Sequence, residues 1–335
     1  MNGDPSARYS YIGYHLEYKK KRKVTKFRRP NSTPETFKSI FLVPLIKSKS
    51  IFDTRLVPGL HPLSWETEIE LSPNEQEKFV SVIGLCEREK IATVIHQIIT
   101  KYASNSSFSE MNSNSRDKNI LIEIEGYPWI SREITWHSSY LGSGIYLDDF
   151  TNYHKLPQLS IYAFGHGFDG SIRDYALYLP ALLHYNPIIA REHLLYILSL
   201  MRSNGALIYG VSGFHQALEM IHSKASDLYL FLLWAIVEYI NTTRDYTILD
   251  ENIPFYPEKN DHTPTSATVL DRVRLAIEFL FSDAVGVGEQ GLIKVNDGDW
   301  SDGISFMVKN RKKFVEKGES AFNTCMALYV LPRLC

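Results

Sequence analysis

Beyond residue 118, apolar residues recur at helical spacing over approximately 131–145, 172–185, 189–203, 226–243, 266–282 and 319–333, and long glycine- and aromatic-rich loops separate these segments. This pattern constrains the fold more than any other feature of the chain. Helix pairs whose connecting loops gather at one end describe an α/α toroid, in which an inner ring of helices is backed by an outer ring and one rim of loops forms a site. No repeat of fixed length runs through the sequence, which disfavours a solenoid. The last helix, Glu319 to Leu334, is apolar nearly all round, as expected of a helix that is covered.

The part before residue 119 reads differently. Residues 1–35 carry Lys19, Lys20, Lys21, Arg22 and Lys23, then Lys26, Arg28 and Arg29, with little apolar patterning. Such an arm resembles a nuclear-import signal or a nucleic-acid contact, and reads more simply as a solvated tail. Residues 36–86 form a β-rich segment, with strand-like runs at 40–45, 67–71 and 78–83 between Pro and Gly breaks. Residues 87–118 hold a connecting helix, on which Ile91, Val94, Ile95, Ile98 and Ile99 recur, and a Ser/Asn-rich linker at 104–115. Residues 119–335 are the helical domain.

A chain of 335 residues with 44% hydrophobic content buries a substantial core, and a net charge of -2 gives the body of the protein no reason to seek nucleic acid. Cys86, Cys325 and Cys335 are too few and scattered for a disulfide framework or a metal site. The amino terminus lacks an apolar signal region, and the longest apolar stretch, Leu228 to Val237, is about half of what would span a bilayer. A soluble, cytoplasmic protein is expected, with the Lys19–Lys23 run pointing to the nucleus as the alternative.

Chemistry concentrates at Asp297-Gly298-Asp299-Trp300-Ser301-Asp302-Gly303. Two carboxylates three residues apart flank an indole, between glycines that let the backbone turn. An acid that protonates a glycosidic oxygen needs an apolar neighbour to raise its pKa, and a tryptophan supplies that surface while stacking on a pyranose face. A plain Asp/Gly turn or a calcium-binding loop explains the same residues.

The order of features around this loop adds a resemblance. The pieces are Trp136-His137-Ser138-Ser139-Tyr140, Gly170-Ser171-Ile172-Arg173-Asp174, Ser226-Asp227-Leu228-Tyr229-Leu230 leading to Glu238-Tyr239-Ile240, and Ile248 to Phe255. Gly288-Glu289-Gln290-Gly291-Leu292, Gly298-Asp299-Trp300-Ser301-Asp302 and Lys317-Gly318-Glu319-Ser320 follow. In this order they resemble the catalytic domain of inverting glycoside phosphorylases of the cellobiose and chitobiose phosphorylase kind, within the six-hairpin glycosidase group. The resemblance implies a mainly α protein, a partial (α/α)6 toroid preceded by the end of a β-sandwich. A complete toroid of that type has twelve helices and six to eight are placed here, so the sequence is read as an incomplete domain: a partial gene model, a splice form or a pseudoenzyme.

The same resemblance implies that Asp302 is the general acid, with Ser301 standing where the family has Asn. In a phosphorylase the nucleophile is inorganic phosphate, a co-substrate, and no other cofactor is implied. An inverting hydrolase needs a second carboxylate about 6.5–9.5 Å from the acid to activate water; Glu289, Asp174 and Glu319 are the candidates. Asp299 reads as a loop-fixing or pKa-tuning neighbour. Arg173 and Asp174 match a pair that grips sugar hydroxyls, although an Arg/Asp pair at a helix start, with Asp174 facing the helix dipole, reads as well. Tyr178 stands where the family shows Asp, which leaves the sugar open. Trp300 would line the sugar subsite or anchor the loop. His166, in a glycine-flanked stretch, is a ligand contact or a structural histidine, and Trp136, His215 and His222 are rim candidates. Glu319 would support the acid loop, or act only as a carboxylate at a helix start. No His/Cys/Asp spacing supports a metal. The expected partner is a di- or oligosaccharide, a homodimer is one assembly open to the chain, and a carbohydrate-binding remnant without turnover is the alternative function.

Overall fold

The computed structural model describes residues 38–44, 49–52, 63–66, 70–76, 81–87, 90–102, 120–148, 150–158, 168–212, 215–217, 224–257, 265–301 and 303–334. The basic arm, the Ser/Asn-rich linker, His166, His222 and Asp302 lie outside these residues. The chain divides into two compact units, 1–117 and 118–335.

In the first unit, β1 (Lys38–Pro44) pairs antiparallel with β4 (Ser81–Glu87), Lys38 lying opposite Glu87, while β2 (Lys49–Phe52) pairs antiparallel with β3 (Leu63–Glu66). Helix α1 (Ile91–Tyr102) follows, burying Ile91 and Ile95 one turn apart. Of the strands expected at 67–71 and 78–83, residues 67–69 and 78–80 lie outside the described residues, and the second is seen from Ser81 and runs on to Glu87. Glu70 and Leu71 are exposed and outside any strand, and a turn follows in which the Glu75 amide donates to Ser72 O and the Ser72 amide donates to the Glu75 carboxylate. Asn74, at φ 69°, completes that turn behind Pro73, which has no amide hydrogen to give a ladder.

The second unit is mainly helical. Its elements are α2 (Pro128–Gly144), the hairpin β5 (Tyr146–Leu147) and β6 (His154–Lys155), β7 (Phe168–Ser171), α3 (Ile172–Tyr185), α4 (Pro187–Ser199), β8 (Gly210–Ser212) and β9 (Gln216–Ala217). Then come α5 (Asp227–Thr243), a 3-10 turn (Tyr246–Asp250), β10 (Asn252–Pro254), β11 (Ser266–Thr268), α6 (Val269–Leu280), α7 (Ile304–Met307), α8 (Arg311–Lys317) and α9 (Ala321–Val330). Strands β7, β8 and β9 form a small antiparallel sheet.

Helix α5 is the centre of the core. It is buried from Asp227 through Leu233 and again from Ala235 through Val237, and α3, α4, α6 and α9 all pack on it. A helix apolar on every side is stable only when surrounded in this way. Asn186 alone joins α3 to α4: its amide donates to Leu182 O, closing α3, and its side-chain oxygen accepts from the Ile188 and Ile189 amides, opening α4 with Pro187 in the first turn.

Helix limits differ from the expected ones where a cap or turn intervenes. Helix α4 stops at Ser199 because the chain reverses through 201–207, with Gly205 at φ 84°. Residues 266–268 form a strand against 252–254, and the Thr268 hydroxyl then caps α6. Helix α9 buries Asn323, Ala327 and Val330, whereas Phe322, Leu328 and Tyr329 are exposed; the apolar face expected to be covered is bare among the described residues. Among them, too, no helix is long and apolar enough to cross a membrane, and no cluster of His, Cys, Asp or Glu has the arrangement of a metal site.

Candidate active site

The loop at 296–301 is held from both ends. On its entry side, Val295 N donates to Gly318 O and Ser320 N donates to Ile293 O, so residues 293–295 run antiparallel to 318–320. Asn296, at φ 55°, turns the chain, and the Asp297 carboxylate accepts the Lys224 amide at 3.0 Å. Asp299 is buried: one carboxylate oxygen accepts the Ser301 amide at 2.8 Å and the other accepts the Ser320 hydroxyl at 3.1 Å. Trp300 beside it is 51% exposed, its ring 5.8 Å from the Phe231 ring at a 34° tilt.

Beneath the loop the first turns of three helices meet. Arg173, in the first turn of α3, is 4% exposed; its Nε lies 3.0 Å from Oδ2 of Asp227, which opens α5 and is wholly buried. Its Nη1 donates to the carbonyls of Asp299, at 3.2 Å, and Trp300, at 3.4 Å, and the guanidinium carbon lies 5.8 Å from the Trp300 ring centre. Ser320 caps α9 by accepting the Asn323 amide, and the Asn323 side chain donates to the Ser226 hydroxyl at 2.7 Å, joining the start of α9 to the start of α5. Asp227 in a first helical turn also meets the positive end of the α5 dipole.

Several expected site residues have other duties here. Arg173 is buried and engaged with Asp227 and with the carbonyls of Asp299 and Trp300. Asp174 forms a capping box: its carboxylate accepts the Ser171 amide at 2.7 Å, and the Ser171 hydroxyl receives the Asp174 amide in return. This is the helix-start arrangement weighed as the alternative. Glu319 receives the Gln290 amide at 3.0 Å and the Leu292 amide at 2.9 Å on its two oxygens, tying down the 287–293 turn. Gly288 lies so close to that carboxyl that any Cβ there would collide with it. Glu289 is exposed and pairs with Lys317 at 3.0 Å.

Trp136 is 67% exposed on α2, on the same face as Trp129 and Tyr140. His215, at φ 55°, stacks on Phe150 with ring centres 5.2 Å apart. Tyr178 is half-buried on α3, and burial, reinforced by the Asp174 charge, holds its phenol above the ordinary value. The structure thus joins Arg173, Asp299 and Trp300, and gives Asp174, Glu289, Glu319 and Trp136 separate local partners or surfaces.

Sequence reasoning missed Asp227, Ser226, Ser320 and Asn323 as parts of the site. A signal existed for Asp227: a carboxylate directly before a continuous apolar run has nowhere to go but the interior, and a buried charge needs a partner. Ser320 and Asn323 carried the N-cap pattern at the start of α9 and nothing more.

The network lies within the segment, residues 158–335, that matches the description "Glycosyl hydrolase 94 superfamily, catalytic domain". No curated protein matches the chain. The match spans just over half of the 335 residues, and the chain belongs to the glycosyl hydrolase 94 superfamily.

Proposed function

We propose that this chain cleaves a β-linked di- or oligosaccharide by phosphorolysis with inversion, with Asp302 as the general acid. The observation that carries the reading is the anchored loop: buried Asp299 fixes its backbone while the indole of Trp300 stands half-exposed on Phe231, a platform for a pyranose face two residues before position 302. The paired helices of the second unit fit one part of an α/α toroid, whose loop rim would hold this platform.

Phosphorolysis is favoured over hydrolysis by the fate of the candidate bases. An inverting hydrolase needs a carboxylate free to take a proton from water. Glu319 is spent on two backbone amides, Asp174 on its own helix start and Glu289 on Lys317 at the surface. A phosphorylase needs no such base. The Asp302 carboxyl gives its proton to the glycosidic oxygen, a phosphate oxygen bonds to the anomeric carbon from the opposite face, and the old carbon–oxygen bond breaks. The products are a sugar 1-phosphate of inverted configuration and a shortened saccharide.

The test is incubation of the chain with cellobiose and with chitobiose, each with and without phosphate. Sugar 1-phosphate formed only with phosphate is the expected result, and Asp302→Asn should abolish it while sparing disaccharide binding by calorimetry. Free sugar at equal rates in both buffers would replace phosphorolysis by hydrolysis. Binding without any product would leave a carbohydrate-binding remnant.

A further inference from the structure

We infer that Arg173 is a positioning residue: its buried pair with Asp227 sets the placement of the Asp299–Trp300–Ser301 backbone and so of the indole above it, and does not hold sugar. The kinetic side of this inference rests on the proposed reaction; the anchoring itself rests on geometry alone.

Two loop acceptors of Arg173 are main-chain carbonyls, and these contacts fix backbone position whatever side chains Asp299 and Trp300 carry. The guanidinium can serve the Asp227 carboxylate and two carbonyls together because its donors are spread over one rigid plane. A lysine ammonium, a point donor on a flexible stem, cannot hold the same three acceptors in one geometry. Asp227 balances the cation inside the core, and Ser320 supports the loop separately through the Asp299 side chain. The two supports are themselves tied by Asn323 and Ser226. A buried ion pair gains little over an apolar contact in stability; its better use is to specify one geometry. Here that geometry is the height of a half-exposed tryptophan beside the position assigned to the acid.

The experiment uses the full chain and two variants, Arg173→Lys and Asp227→Asn, each read in two ways. The first is amide hydrogen exchange of residues 299–301, referred to amides within α5. The second is turnover and calorimetric binding of whichever disaccharide the wild-type chain cleaves. Protection at 299–301 should fall about tenfold or more relative to α5, and kcat should fall about 100-fold, the scale of a misplacement of about 1 Å, while KM and the dissociation constant change less than about threefold. Unchanged protection at 299–301 would overturn the inference, whatever the rates. A raised KM with kcat intact would assign Arg173 to the sugar and overturn it as well. A wild-type chain that binds or cleaves no glycoside removes the proposed reaction, and the exchange measurement alone then decides the role of Arg173. Should Arg173→Lys fail to fold, Asp227→Asn, which keeps the side-chain shape and removes the charge, decides by the same readings.

Discussion

Two non-helical segments of the second unit are pinned by buried ion pairs, and they are pinned in opposite ways. The β5–β6 hairpin closes on itself: Lys155 reaches Asp148 at 2.9 Å within the same hairpin, and its ammonium also donates to Tyr196 on α4 at 2.9 Å. The other Asp148 oxygen accepts the Phe150 and Thr151 amides and the Thr151 hydroxyl. Burial alone would push the Asp148 carboxyl up, but the Lys155 charge and these hydrogen bonds outweigh it and hold the pKa below the ordinary value. Among the described residues, the loop at 296–301 shows no ion pair made within its own turn. Its cation comes from α3, its counter-ion from α5 and its second support from α9. A pair made inside one turn survives many changes elsewhere, whereas an anchor assembled from three helices reports on how all of them are packed.

The largest effect should follow from Asp227→Ala, which strands the Arg173 cation in the core. A loss of about 3–5 kcal/mol is expected from the midpoint of urea unfolding, and if the loop is independent of the helix starts the loss will be far smaller. Lys155→Met should cost about 3 kcal/mol, at the lower end of the range for a broken buried pair, because Asp148 keeps its three local donors. In that variant, exchange at 299–301 should remain at the wild-type rate; faster exchange there would show that the two anchors are not separate.

The smallest effect comes from pH and tests what links them. His193 on α4 accepts the Leu156 amide on Nδ1 and donates from Nε2 to Tyr175 O on α3, so it ties the exit of the hairpin to the helix pair. Burial pushes its pKa down to about 4. The unfolded chain takes up a proton below about pH 6.5 while the native imidazole stays neutral to about 4, so this contribution is full above 6.5 and is lost as pH falls towards 4. A decline of roughly 2–3 kcal/mol is expected between urea unfolding at pH 7 and at pH 4. That part of the decline should vanish in His193→Gln.

What the sequence disclosed follows the same division between local and distant. Helix α3 is legible within two residues because Ser171 and Asp174 write its start locally, and Asn186 with Pro187 writes the break before α4. The special loop is legible too, since its Asp, Gly and Trp are contiguous. The direction in which Arg173 points is not, because its partners Asp227 and Asp299 are far along the chain and no spacing rule connects them. The partners of Glu319 are illegible for a related reason: the Gln290 and Leu292 amides reach it only when the 287–293 turn folds back. At 67–71 alternation suggested a strand, but its described end, Glu70 and Leu71, runs outside any strand into the Ser72–Glu75 turn.

Asn186 carries a mechanical implication. Because one residue closes α3 and opens α4 at once, that corner has no slack to absorb a shift of either helix. Arg173 rides on the first of them and Tyr196 on the second, so the tryptophan's perch and the hairpin's latch share one stiff elbow.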